Sequence, residues 1–142
     1  MRGIAISRIM TVDPVTVGPA DSVVTARELL ESRDIHHLPV VEDGILVGIV
    51  SSADLLKLHA LNERSEDLSA IRVAEVMEAE PITIDISADL IDVAAKLSDG
   101  SFHALPVVEA GNVLVGIVTS TDLINHLLMQ VPRSDTGSEG TS

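Results

Sequence analysis

The stretch GIVSSADL at residues 48–55 returns later in the chain as GIVTSTDL at residues 116–123. Each copy is an apolar, partly β-branched run that ends in a hydroxyl residue, Ser51 or Thr119, with an aspartate, Asp54 or Asp122, three positions later. The apolar run predicts a buried strand, and the Ser/Thr-x-x-Asp pattern predicts that a helix begins directly after it. The two copies therefore predict two similar strand–helix units around which the chain is organised.

The repetition extends over most of the chain, which indicates a duplicated unit. Its offset is 67 positions up to the turns at Gly44 and Gly111, and 68 positions after them, because the second copy has one extra residue there. The pairs that share the offset of 67 are Met10 and Met77, Pro14 and Pro81, Thr16 and Thr83, His36 and His103, and Pro39 and Pro106.

Each copy reads as β-α-β-β-α, preceded by a short helical turn at residues 6–10 or 73–77. Short strands are predicted at residues 15–17 and 82–84, and the Asp43-Gly44 pair predicts a hairpin between strands at 38–41 and 46–50. The apolar residues of the two last helices are expected to form buried faces. These residues are Leu55, Leu56 and Leu58 in the first copy, and Leu123, Ile124, Leu127 and Leu128 in the second.

These boundaries divide the chain into a first repeat at residues 4–60, a polar connector at 61–71, a second repeat at 72–130 and a tail at 131–142. A repeat of this size is small for an independent core, so we expect the two to pack together through their sheets. The tail is rich in Ser, Thr, Gly and charge, and its composition predicts disorder.

Composition excludes several classes of function. The chain has no Cys, so disulfides, thiolate catalysis and Cys-based metal sites are excluded. Its formal charge of −13, with no Trp or Tyr and one Phe, argues against nucleic acid, which needs basic and stacking side chains. No apolar run approaches the roughly 20 residues of a membrane span, and no secretory signal is recognised, so we expect a soluble, cytoplasmic protein.

The two Ser/Thr-x-x-Asp sequences support two interpretations. A hydroxyl and the first N–H groups of a helix can bind a phosphate, and an ionised Asp can accept both hydrogen bonds of a ribose diol. The same residues also form a capping box, in which the hydroxyl caps the helix and the acid reaches back to the backbone. Duplication copies structural and functional residues alike, so the repeat does not decide between them.

Taken together, these motifs resemble the tandem CBS domain pair, or Bateman module, over roughly residues 4–130. The markers occur twice in the same order: the Met and Pro of IMTVDP (9–14) and VMEAEP (76–81), the strands HLPVV (37–41) and ALPVV (104–108), and the two Gly-Ile-Val-(Ser/Thr)-x-x-Asp endings. The resemblance implies an α+β fold of two repeats related by a pseudo-two-fold axis.

The resemblance also implies a function: a regulatory module, not an enzyme, that binds AMP, ADP, ATP, NAD or S-adenosylmethionine in clefts between the repeats. It further implies a homodimer and a regulated partner protein, whose identity the sequence does not reveal. Because the chain is strongly acidic, AMP or NAD is favoured over the more highly charged ATP. No Walker loop, Gly-x-Gly-x-x-Gly, Gly-x-Ser-x-Gly or His-Glu-x-x-His sequence supports an enzyme.

By the same resemblance, histidines before the Leu-Pro-Val strands face the ligand's phosphates, and threonines of the first strands hold the adenine edge. A plain strand role suits those threonines equally well. Ala104 stands where the first copy has His37, so the two clefts are not expected to be equal. The candidate nucleotide-binding residues are Thr16, His36, His37, Ser51, Asp54, Thr83, His103, Ala104, Thr119, Thr121 and Asp122.

Two alternatives to nucleotide binding stay open. One is a purely structural association module whose clefts are closed by Ile, Leu and Val side chains. The other is a metal-responsive module built from His36, His37 and His103, with His59 or His126 as a further ligand, although no two of these have the i, i+4 spacing of helical ligands.

Overall fold

The computed structural model describes residues 3–61 and 67–131. Most of the polar centre of the predicted connector, and the predicted disordered tail apart from Val131, lie outside these residues. No helix in the described part of the chain is both long and apolar enough to cross a membrane.

The first repeat contains one long helix, a hairpin and a second helix, as its sequence predicts. The hairpin turns through Asp43 and Gly44, whose φ angles of 53° and 82° are those of a two-residue turn that follows the twist of the strands. The elements are a 3-10 turn at Ile6–Arg8, β1 at Thr11–Val12, α1 at Val23–Arg33, β2 at His37–Glu42, β3 at Ile45–Ser51 and α2 at Ser52–Leu61.

The second repeat also has a long helix, a hairpin and a last helix, with one further short strand before the long helix. Its hairpin loop is one residue longer, and Gly111 and Asn112 take the positive φ angles. After a 3-10 turn at Leu68–Ala70, the elements are α3 at Val73–Val76, β4 at Glu78–Ala79, β5 at Ile84–Asp85, α4 at Leu90–Leu97, β6 at Ala104–Glu109, β7 at Val113–Thr119 and α5 at Ser120–Gln130.

The strands form one hydrogen-bonded sheet in the order β2-β3-β7-β6-β5, so the fold is the mixed α+β arrangement that the sequence predicts. The two hairpins meet at their tips, where Ile45 pairs with Val113 and the side chain of Asn112 donates to the carbonyl of Leu46 at 2.8 Å. Asn112 lies in the loop that carries the extra residue of the second copy. The insertion thus lies at the junction between the repeats.

The leading segment of each repeat packs on the other repeat. Ile6 is fully buried in the core of the second repeat, and β1 pairs with β7. Conversely, Val73 is fully buried in the core of the first repeat, and β4 pairs with β3. Each core is therefore completed by residues that belong, in sequence, to the other copy.

The predicted strands at 15–17 and 82–84 are wrong in extent. Val17 makes only an isolated parallel bridge with Val40, and the second strand is the two-residue β5. Proline explains both differences: extending either pairing two residues back would require an N–H from Pro39 or Pro106, which proline lacks. Pro39 and Pro106, which belong to the sequence markers of the hairpins, thus also limit the length of the neighbouring strands.

The predicted buried faces of the last helices are also wrong in part. Leu55, Leu58 and Leu123 are half-buried, but four of the predicted positions are largely exposed. The reason is that α2 and α5 lie on the outside of the sheet, where each has only one side to bury. The exposed fractions are 70% for Leu56, 55% for Ile124, 40% for Leu127 and 65% for Leu128.

Candidate functional site

The two Ser/Thr-x-x-Asp sequences form capping boxes at the starts of α2 and α5. The Ser51 N–H donates to Asp54 Oδ2 at 2.9 Å, and the Asp54 N–H donates to Ser51 Oγ at 3.1 Å. Thr119 and Asp122 make the same pair of bonds at 2.9 and 3.1 Å. Both repeats therefore form the capping box, which is the structural one of the two interpretations that the sequence supports.

The capping boxes leave part of each aspartate free. Asp54 and Asp122 use Oδ2 in the box, and Oδ1 accepts no hydrogen bond from the residues that the structure describes. A carboxylate oxygen has two lone pairs, so Oδ1 can accept both hydroxyls of a ribose diol while the box stays closed. Capping and ligand binding are thus compatible in this geometry.

Strand register brings the site residues of the two repeats to facing surfaces. Residues paired across antiparallel strands share a face, so His37 and Ser51 lie on one side of their hairpin together with Ile49. Ala104 and Thr119 likewise share a face with Ile117.

Ile49, Ala104 and Ile117 form one buried cluster between the repeats. The hairpin face with His37 and Ser51 therefore lies opposite the face with Ala104 and Thr119. The capping boxes lie at the ends of these strands. Ile49 and Ile117 were missed as lining residues, although their two-residue spacing from Ser51 and Thr119 would have identified them.

His37 lies at the centre of the polar part of this surface. It is half-buried, and burial lowers its pKa; the charges of His103 and His36 lower the pKa further, and the Asp54 carboxylate partly opposes them. The structure therefore brings His37 near His103 of the other repeat and near Asp54 of its own. An imidazole in this environment is neutral at pH 7 and gains a proton most readily when an anion is bound beside it.

His36 and His103 occupy equivalent places before β2 and β6. Both side chains are exposed, and their backbone carbonyls accept the N–H groups of Ser52 and Ser120, each at 3.0 Å, at the starts of α2 and α5. The imidazoles are thus anchored beside the helix N-termini by their own backbones. Ala104 is buried where His37 is half-buried, so the two halves of the surface differ in this side chain.

Three candidate threonines lie outside the capping boxes. Thr16 is exposed, Thr83 is half-buried just before β5, and Thr121 is exposed on the first turn of α5. Among the residues described, no hydrogen bond joins Thr16 or Thr83 to Asp54 or Asp122. Thr83 instead lines a hollow of about 410 Å³ beside Asp92 and Lys96.

The histidines do not assemble a metal site within residues 3–61 and 67–131. No three His, Asp or Glu side chains in these ranges lie close enough together to hold a metal ion. The metal-responsive alternative therefore has no cluster to support it in this part of the chain.

Comparison with known proteins shows the family of the chain. A sequence profile of the CBS domain matches residues 6–60 and 73–129. The chain is similar to the CBS domain-containing protein CBSX2 of Arabidopsis thaliana, with 31% identity covering 86% of this chain and 61% of that protein. CBSX2 has been solved in complex with AMP, and that structure matches 89% of this chain and 98% of its own at 32% identity, with a TM-score of 0.77.

Two further relatives differ in length and ligand. The CBS domain pair of protein MJ0100, solved with 5′-methylthioadenosine and S-adenosyl-L-methionine, is 33% identical, covers 87% of this chain and 98% of its own, and has a TM-score of 0.75. L-aspartate semialdehyde sulfurtransferase of Methanocaldococcus jannaschii is 34% identical over 81% of this chain, which spans only 21% of that enzyme. With two matched domains and a fold shared with solved CBS pairs, the chain belongs to the CBS domain family as a tandem pair.

Proposed function

We propose that this CBS pair is a regulatory module, not an enzyme, that binds an adenosine-containing ligand between its repeats and reports the ligand's level to another protein. One observation carries the proposal. The two capping boxes lie at the ends of facing strands, and in each the aspartate Oδ1, beside a helix N-terminus, accepts no hydrogen bond from the described part of the chain. This arrangement offers a ribose acceptor and a phosphate donor within one site.

Within the proposal, Asp54 and Asp122 bind ribose, while Ser51, Thr119, Thr121 and the histidines bind phosphate. The aliphatic side chains Ile49 and Ile117 supply the apolar surface for adenine, since the chain has no Trp or Tyr to stack on it. Thr16, Thr83 and Ala104 complete the proposed set: the threonines are proposed to hold the adenine edge, and Ala104 lines the apolar cluster with Ile49 and Ile117.

AMP is the preferred ligand, followed by NAD, ADP, ATP and S-adenosylmethionine. The relatives CBSX2 and MJ0100 were solved with adenosine compounds, which supports the ligand class. The chain's charge of −13 favours ligands with fewer phosphate charges, because repulsion grows with ligand charge. The cytoplasmic location expected from the sequence remains part of this proposal.

Equilibrium dialysis tests the proposal directly, because a protein without Trp or Tyr is nearly transparent where adenine absorbs. We expect excess absorbance on the protein side with AMP. The matched control is the double variant Asp54→Asn and Asp122→Asn, in which the amide oxygen keeps one acceptor for the capping box. Loss of the charged acceptors should weaken AMP binding at least about tenfold. Unchanged affinity in this variant would show that ribose binds elsewhere.

The structural association module is the second candidate function. One observation favours it. The side chains of Ile49, Ala104 and Ile117, each at most 8% exposed, fill the centre of the space between the two facing surfaces. This function predicts no excess absorbance with any of the five ligands at millimolar concentration, and no rise in melting temperature with ligand.

We also propose that the protein is a homodimer. The large apolar side chains exposed on α2 and α5 support a partner on the helical side of the fold. Light scattering coupled to size exclusion should give twice the mass of 15.0 kDa.

A further inference from the structure

The two halves of the facing surface differ in the side chain that lies beside the hydroxyl of the capping box. In the first repeat, His37 pairs across the hairpin with Ser51, so its imidazole shares a face with the box that contains Asp54. In the second repeat, Ala104 pairs with Thr119 in the same way. The strand register therefore places an imidazole beside one capping box and a methyl group beside the other.

The part of the surface around the first capping box, the Asp54 half, brings imidazoles together. His36 precedes His37 in the chain, and His103 of the other repeat lies close enough for its charge to act on His37. The Asp54 carboxylate attracts the protonated form of the same imidazole. Beside a bound anion these histidines gain protons and become cationic donors. The Asp54 half therefore offers positive charge to a phosphate, which the chain as a whole repels with its formal charge of −13.

The part around the second capping box, the Asp122 half, lacks this imidazole. Ala104 is 8% exposed and packs with Ile49 and Ile117. Its methyl group occupies the position that His37 has in the first repeat. A phosphate bound in this half would lie near the Asp122 carboxylate without that compensating side chain, and like charges repel. The Asp122 half therefore favours an adenosine compound whose 5′ group carries no negative charge.

The other polar groups of the Asp122 half also suit an uncharged 5′ group. Thr119 and Thr121 carry neutral hydroxyls, which donate to a 5′-hydroxyl as well as to a phosphate. The second repeat brings one histidine, His103, to the start of its hairpin, where the first repeat brings His36 and His37. The phosphate contacts proposed above are therefore stronger in the Asp54 half.

From these differences we infer that the Asp54 half selects adenosine compounds with a 5′-phosphate, and that the Asp122 half accepts adenosine compounds without one. One chain then holds two different adenosine compounds at the same time, so its regulatory output depends on the levels of both. This inference rests on the proposed function, because it assigns a ligand class to each half of the same site.

Two single variants separate the halves. Asp122→Asn leaves the Asp54 half intact, and Asp54→Asn leaves the Asp122 half intact. In both variants the amide oxygen keeps an acceptor for the capping box, and circular dichroism checks the fold. AMP and adenosine are the probes, because they differ only in the 5′-phosphate. Equilibrium dialysis gives the ratio of AMP affinity to adenosine affinity for each variant.

We expect Asp122→Asn to bind AMP at least about tenfold more tightly than adenosine, and Asp54→Asn to bind adenosine at least as tightly as AMP. Adding His37→Ala to Asp122→Asn should remove the preference for AMP. The wild type, saturated with AMP, should still bind isotopically labelled adenosine.

Equal affinity ratios in the two single variants would overturn the inference and leave the proposed function standing. Complete displacement of labelled adenosine by AMP would do the same, because it would show that both halves accept the phosphate. A preference for AMP that survives His37→Ala would overturn the role of this imidazole. A wild type that binds neither AMP nor adenosine would overturn the proposed function together with the inference.

Discussion

At Gly48 and Gly116, a missing side chain lets the leading segment of the other repeat lie directly on the hairpin. A Cβ on Gly48 would lie 2.5 Å from Met77 Sδ and 2.9 Å from the Glu78 carbonyl oxygen. A Cβ on Gly116 would meet Met10 Sδ at 2.7 Å and the Thr11 carbonyl oxygen at 2.8 Å. The methionine could move, but the carbonyl belongs to a paired backbone, so a methyl group here must disturb the contact between β3 and β4 or between β1 and β7.

We therefore predict that Gly48→Ala or Gly116→Ala lowers the free energy of unfolding by about 1–3 kcal/mol, as overpacking does elsewhere. Urea denaturation measures the change. Gly18→Ala is the matched control, since the nearest atom to its Cβ would be at an ordinary 3.4 Å. Equal effects at Gly18 and Gly48 would show that the close contact does not matter.

We expect the protonation of His37 to make ligand binding at the site depend on pH. Its pKa is lowered by burial, then by the charges of His103 and His36, with Asp54 opposing. As pH falls below about 6.5, the unfolded chain therefore takes up a proton that the folded chain resists, and stability decreases. A bound phosphate beside His37 reverses this preference because it stabilises the imidazolium.

We predict that AMP affinity of the wild type, relative to His37→Gln, increases as pH falls through the range just below 6.5, by several-fold and at most about tenfold. Using the same ligand for both proteins cancels the titration of AMP itself. Calorimetry in buffers of different ionisation enthalpy should show more proton uptake on binding by the wild type than by His37→Gln. If the ratio of the AMP affinities of the wild type and His37→Gln stayed constant across this pH range, His37 would not contact the phosphate.

Among the elements, α2 and α5 descend from one repeat unit but differ on both of their faces. On the inner face, His126 of α5 replaces Leu58 of α2, and its Nε2 is buried without a hydrogen-bond partner among the residues described. An unpaired buried polar atom costs free energy that an aliphatic side chain does not.

The variant His126→Leu should therefore raise the free energy of unfolding by about 1 kcal/mol, an increase of a few degrees in melting temperature for a chain of this size. The reciprocal change, Leu58→His, should lower it. Both are measured at one fixed protein concentration, because association shifts the transition. Destabilisation by His126→Leu would mean that the imidazole makes an interaction which the fold needs.

For the whole molecule, the crossed leading segments make the two repeats one cooperative unit. Ile6 and Val73 are each fully buried in the core of the other repeat. Removing a large buried aliphatic side chain costs about 2–5 kcal/mol, so each repeat loses much of its stability when its partner is absent.

We predict that fragments 1–61 and 62–142 are each unfolded alone by circular dichroism, and that mixing them restores the native spectrum. As an internal check, Ile6→Ala in the intact chain should lower stability by about 2–5 kcal/mol although it lies near the start of the chain. Cooperative unfolding of either fragment alone would contradict this prediction.

Local patterns in the sequence determined much of this protein. The order of elements, the Asp43-Gly44 hairpin and both capping boxes follow from residues within a few positions of each other, because turns and caps are local hydrogen-bond chemistry. The doubled motif also predicts two candidate sites, and Ala104 in the place of His37 predicts that they are unequal; both statements stay predictions.

The tertiary structure alone decided which parts meet. Hydrophobic periodicity shows that Ile6, Val73 and Leu128 prefer burial, but it does not say against what: the first two are buried in the opposite repeat, and Leu128 is left 65% exposed. In the same way, Pro39 shortens a strand that is distant in sequence, and the charge of His103 acts on His37 only because the two hairpin faces lie opposite each other. Apolar burial is non-directional, so the partner of each surface is chosen by the geometry of the whole chain.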